Sequence, residues 1–221
     1  MNAPFTFEQF FGVFAQYNTA VWPMQVIFYL LALAALFLAI RKTNYSDRTI
    51  PAILALFWLW MGAVYHITFF ATINPVAYSF GALFIIQGLL FLLSGMLKRK
   101  LSFGPAADIY GWVGGFFVLY GLLIYPLLGY FLGHVYPHSP TFGLPCPTTI
   151  FTFGLLLWTN KRVPWYLLVI PVIWSFIGFG AALQWMVLED IMLLIAGLVT
   201  TALLVYRNRA GKLTPSLSQQ V

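Results

Sequence analysis

Apolar residues run along this chain in stretches about one or about two membrane crossings long, and each stretch ends at a short group of cations. A hydrocarbon core of roughly 30 Å takes about 20 residues of helix. Cut to that length, the apolar runs predict spans over 20–40, 50–71, 76–97, 109–132, 142–159, 163–184 and 187–206. The cations are Arg41/Lys42/Arg48, Lys98/Arg99/Lys100, Lys161/Arg162 and Arg207/Arg209/Lys212, which together are all eleven Lys and Arg. They fall after the first, third, fifth and seventh spans, and the alternate loops carry none. The expected fold class is therefore all-α, with seven transmembrane helices.

The pattern changes at both ends. Thr6 and Gln9 have the spacing of a capping box, and Phe7, Phe10, Phe11 and Phe14 fall at helical spacing opposite Glu8, Gln9 and Gln16. This predicts a short interfacial helix over 1–19 that leads into the first span. No basic stretch precedes the first apolar run, so the start does not read as a signal peptide. Residues 207–221, RNRAGKLTPSLSQQV, are polar and rich in small residues, and read as a disordered cytoplasmic tail behind a single domain over 1–206. Spans one to three and five to seven share an orientation, which gives a three-one-three plan with the fourth as linker. Trp60 and Trp174 each lie twelve residues after an arginine, Arg48 and Arg162, and precede Gly62-Ala63 and Gly180-Ala181, a thin internal match.

Composition supports the membrane reading. Hydrophobic residues make up 62%, charged residues 7%, and mean hydropathy is +0.89, which excludes an ordinary water-soluble domain. The net charge of +6 suits anionic lipid rather than nucleic acid. A single cysteine, Cys146, excludes an internal disulfide. By the positive-inside rule the N-terminus is expected outside and the C-terminus in the cytoplasm, in the plasma (inner) membrane.

The remaining titratable groups gather towards the outer half: His66, His134, His138, Cys146, Glu8, Glu189 and Asp190, against Asp47 and Asp108 inside. His66 lies within the second span, where an ionisable side chain must face the bundle or a wet cavity. Its plainer role is a neutral imidazole bonded to a carbonyl or hydroxyl. His134 and His138 form a His-x-x-x-His pair interrupted by Pro137, and with His66 they are the candidate zinc ligands. Without such a set, no cofactor is expected.

The fifth span is short. Thirteen residues separate Pro147 from Lys161, about 10 Å too few for the hydrocarbon core, so Thr141–Pro147 must finish the crossing as irregular backbone lining a cavity. A half-helix starting at Thr148-Thr149 then points its N-terminus into that cavity, and an anion suits it. The candidate solute-binding residues are His66, His134, Cys146, Thr148 and Thr149. A short helix beside a thinned bilayer is the plainer alternative. Glu189-Asp190 is explained by the macrodipole of the seventh span, and Gly111 and Gly115 have the spacing of a helix-packing GxxxG. Gln25, Gln87, Ser94, Ser175 and Gln184 read as inter-helical glue.

Gly133-His134-x-Tyr136-Pro137, then Pro140-Thr-Phe-Gly143-x-Pro145-Cys146-Pro147-Thr148-Thr149-Ile-Phe-Thr-Phe-Gly154, with Tyr65-His66 and Asn74-Pro75 upstream, resembles an uncharacterised family of bacterial polytopic membrane proteins, loosely described as permease-like. The resemblance covers nearly the whole chain and implies no reaction. Gly-Ala-Val-Tyr65-His66-Ile-Thr also looks like the second-span histidine motif of seven-helix alkaline ceramidases, but Gly62 replaces that family's serine and no Asp lies on the third span.

Three functional readings stand. The first is a small-solute carrier with an outward site at a broken fifth helix, its solute an anion by the argument above. The second is a zinc-dependent intramembrane hydrolase. The third is an accessory subunit of a membrane complex. The lipid bilayer is the expected partner in each, and a homo-oligomer is left open.

Overall fold

A computed structural model describes residues 5–210, and among these it is helical from end to end apart from loops. Helix α1 (Phe7–Ala20) starts at a complete capping box. Thr6 Oγ1 accepts from the Gln9 backbone and Gln9 Oε1 accepts from the Thr6 backbone, at 3.2 and 2.8 Å. Helix α2 (Met24–Ile40) follows after a bend of 82°, so α1 lies across the end of the bundle as an interfacial helix would.

Helix α3 (Ser46–Trp60) runs on as a π-helical stretch over Met61–Phe69 and a 3₁₀ turn over Phe70–Thr72. Helix α4 (Ala77–Phe91) ends in a second π stretch, and α5 (Ile109–Leu119) joins α6 (Tyr125–Phe131) through a third, Tyr120–Ile124. Then come α7 (Pro145–Leu157), α8 (Tyr166–Trp185), the 3₁₀ turn Leu188–Asp190 and α9 (Ile191–Ala210).

Every predicted span has its helix, but not every helix is a full crossing. Five continuous helical segments are long and apolar enough to cross a membrane: Ser46–Thr72, Ala77–Leu97, Ile109–Phe131, Tyr166–Trp185 and Leu188–Arg209. The bent pair α1–α2 makes a sixth if taken together. The fifth predicted span is α7, with only 13 residues. Helix α9 continues to Ala210, four residues into the predicted tail, and 211–221 lie outside the described residues.

The reason α7 can be short is its position. It packs against α5, α8 and α9, and every side chain from Pro145 to Leu157 except Cys146 is buried. A helix surrounded by protein has no hydrocarbon thickness to match. Its C-terminal carbonyls are met by Arg207, whose guanidinium donates to Thr159 O at 2.7 Å, Thr159 Oγ1 at 2.9 Å and Leu157 O at 3.4 Å.

The cations gather at one end. Lys42 donates to Ser102 Oγ and lies 3.4 Å from Asp47, Lys161 donates to Arg99 O at 3.3 Å, and Arg162 to Asn208 O at 2.6 Å. Four separated sequence clusters thus form one basic face, while the flanks of the bundle expose residues such as Leu30, Phe37, Leu89 and Leu123. An apolar belt above a basic end is the surface expected of a membrane-embedded protein.

Candidate functional site

The opposite end holds a separate apolar cluster, in which Phe10, Phe14 and Tyr17 of α1 pack on Tyr65, Phe70, Leu144 and Trp185. Helical spacing puts the α1 phenylalanines on one face, and the 82° bend lays that face over the bundle. The loop beyond α6 is tied to α1 by Asn18. Asn18 Nδ2 donates to Pro137 O and Ser139 O at 2.7 and 2.8 Å, and Asn18 Oδ1 accepts from Thr141 at 2.7 Å. Gly143 follows at φ +101°, where an added Cβ would strike the Phe28 ring.

Beneath α1 lies a cavity of about 510 Å³, within the range of small-molecule sites. Phe10 and Phe14, Tyr65 and Phe70, Phe80 of α4, and Trp174 and Trp185 of α8 supply aromatic walls. The polar lining residues are Asn74, Cys146, Gln184 and Asp190. Trp185 packs against both Phe5 and Phe10, with ring centroids 5.0 and 5.4 Å away, and those two rings lie 5.9 Å from each other, so the walls brace one another. Cys146, half-buried at the start of α7, and Asp190, just before α9, both line it.

Asp190 and Glu189 do more than complement a helix dipole. Tyr125 donates to Asp190 Oδ1 at 2.5 Å, and Tyr120 donates to the Glu189 carbonyl at 3.0 Å. The Glu189 side chain is fully buried, with His134 Nδ1 2.8 Å from Oε1 and Phe11 stacked on the imidazole. The second oxygen, Glu189 Oε2, has no hydrogen-bond partner.

Of the candidate site residues, only Cys146 lines the cavity. His66 is fully buried one layer back, its ring 5.1 Å from Trp174 and 4.6 Å from Phe84, and neither nitrogen has a hydrogen-bond partner. The carbonyl or hydroxyl expected beside it is not there. His134 is taken up by Glu189, and His138 is exposed in the loop.

Thr148 and Thr149 are buried inside α7, which starts three residues before the predicted half-helix. Thr148 Oγ1 accepts from the Gly143 backbone at 3.0 Å, and Thr149 Oγ1 is buried without a partner. Pro145 and Pro147 have no N–H, so the first turn of α7 offers few donors to an anion. Among the described residues no three His, Cys, Asp or Glu side chains come close enough to hold a metal ion, so His66, His134 and His138 do not converge.

Sequence reasoning passed over Asn18, used Trp174 only in an internal match, and gave Asp190 and Gln184 bland roles. One signal was present: two adjacent acids on the end of the molecule that carries no Lys or Arg. A model for a family of unknown function matches residues 7–214. Neither a curated protein nor a solved structure matches the chain.

Proposed function

The chain belongs to that family, DUF6064, and on that premise we propose that it is a permease-like membrane protein that binds a small solute in the cavity beneath α1. In this reading it crosses the plasma membrane seven times, with the buried α7 counted as the fifth crossing. The basic end faces the cytoplasm, the cavity faces outward, and the N-terminus is outside. Support comes from the gathered cations, and from exposed aromatic residues at helix ends of both sides: Tyr45, Trp112, Trp165 and Tyr206 near the basic end, Trp22, Tyr130 and Phe131 near the other.

The observation that carries the solute reading is the cavity itself. A volume of about 510 Å³, mostly apolar and walled by aromatic rings with a few polar groups, is the form small-molecule sites take. It lies at the end of the bundle, as an outward-open site requires, and not in the packed middle.

Cys146 provides the test, because it is the chain's single cysteine and lines the cavity. A small membrane-impermeant maleimide added to right-side-out cells should label it, and Gly180→Phe should slow that labelling severalfold. Gly180 lines the cavity, and an added Cβ there meets nothing within 4 Å. Solutes are then screened by protection of Cys146 and by uptake into proteoliposomes. A thiol that stays unlabelled in folded protein, or is labelled only from the cytoplasmic side, overturns the reading.

A further inference from the structure

The cavity's charge says what kind of solute it takes. Asp190 lines it, the neutral Tyr125 hydroxyl donates to this carboxyl, and the neutral Cys146 thiol lines the same cavity. Of the nearby imidazoles, His134 is bound to Glu189 and His66 is buried behind Trp174. Every Lys and Arg among the described residues belongs to the opposite, basic end. A carboxylate in a dry aromatic setting is costly unless a counter-charge pairs with it, and this chain supplies none.

We propose that the counter-charge arrives with the ligand: the cavity takes a small organic ammonium ion bearing an apolar or aromatic group, with Asp190 as its anion. This deepens the solute-site reading and rests on it. Aromatic walls suit such a ligand twice over, since they accept its apolar part and their π faces attract a cation that has left water. Gln184 adds an amide oxygen for the remaining N–H groups. The same lining is unfavourable to an anion, which would meet Asp190 and no cation. The ligand charge is thus the reverse of the one inferred from the half-helix.

The test uses three probes of one skeleton: 2-phenylethylammonium, 2-phenylethanol and phenylacetate. Full-length protein in nanodiscs of uncharged phosphatidylcholine is titrated with each by calorimetry. The ammonium should bind at least about tenfold more tightly than the alcohol, and phenylacetate least tightly. Asp190→Asn, which keeps the shape and an acceptor for Tyr125, should bring the ammonium to within about twofold of the alcohol. Trp185→Leu gives a second measurement, and should weaken the ammonium more than the alcohol.

Equal binding of ammonium and alcohol, tighter binding of phenylacetate, or ammonium affinity indifferent to both substitutions overturns the cation assignment. If the alcohol still binds and Gly180→Phe abolishes it, the solute site stands and only the ligand's charge is wrong. If no probe binds, both fall.

Discussion

His134 Nδ1 lies 2.8 Å from Glu189 Oε1, joining the loop after α6 to the turn before α9 across 55 residues of sequence. The carboxyl is fully buried and its other oxygen is unpartnered, so His134 is the one side chain that compensates it. His134→Ala should therefore cost about 3 kcal/mol, the usual scale for orphaning a buried charge. Glu189→Gln should cost less, and the double variant should be no worse than His134→Ala alone. Thermal unfolding in detergent gives the cycle, and additive losses would show that the two side chains are not coupled.

How much of this was legible beforehand differs by element. The positions of the helices followed from apolar run length, and the Thr6–Gln9 cap from local spacing, because both are properties of neighbouring residues. The seven predicted spans are matched more coarsely, by five or six stretches long and apolar enough to cross. Whether α7 needs 20 residues depends on whether it touches lipid, and its burial by α5, α8 and α9 is a long-range fact. The uneven chemistry pointed to the end of the molecule that holds the cavity, and of the candidate residues Cys146 lines it. The walls were missed because Phe10, Trp174 and Trp185 look like ordinary membrane aromatics until the bend at the end of α1 brings them together.

The α5–α7 contact is a second case of spacing that misleads. Gly111 and Gly115 have GxxxG spacing, yet the backbones approach at Gly114 and Gly154. A Cβ on Gly114 would lie 2.8 Å from Gly154 O, and one on Gly154 would lie 2.7 Å from Gly114 O. At Gly115 the nearest atom is 3.6 Å away on the Trp158 ring, an ordinary contact. Gly114→Ala and Gly154→Ala should each destabilise by about 1–3 kcal/mol, as overpacking does, and Gly115→Ala should be close to neutral. Equal tolerance at 114 and 115, read from unfolding in detergent, would remove the close approach from the account.

Arg207 closes the far end of the same helix. Its forked guanidinium reaches the Leu157 and Thr159 carbonyls and the Thr159 hydroxyl, a geometry that one ammonium group cannot reproduce. Arg207→Gln should cost about 1.5–3 kcal/mol, the range for charge-assisted hydrogen bonds, and Arg207→Lys should recover only part of it. Hydrogen exchange should quicken at the C-terminal turn of α7 in both variants. A lysine variant as stable and as protected as the parent would mean that charge alone, not the fork, matters there.

His66 poses the reverse problem, a polar ring that stability does not explain. It sits on the π-helical stretch Met61–Phe69, enclosed by Tyr65, Phe70, Phe80, Phe84 and Trp174, with both nitrogens buried and unpartnered. Replacing such a group by an apolar side chain of similar size relieves its desolvation, so His66→Leu should be neutral or stabilising by about 1 kcal/mol. π-helical insertions cost regular hydrogen bonding and are found most often where function requires them. Trp174 separates His66 from the cavity, so the ring can set the position of that wall without meeting the solute. His66→Leu should accordingly raise the unfolding temperature while weakening binding of a cavity ligand severalfold. A loss of about 2–5 kcal/mol, as in ordinary core truncation, would instead make the imidazole a packing element with a satisfied partner. Raised stability with unchanged ligand affinity would detach it from the site altogether.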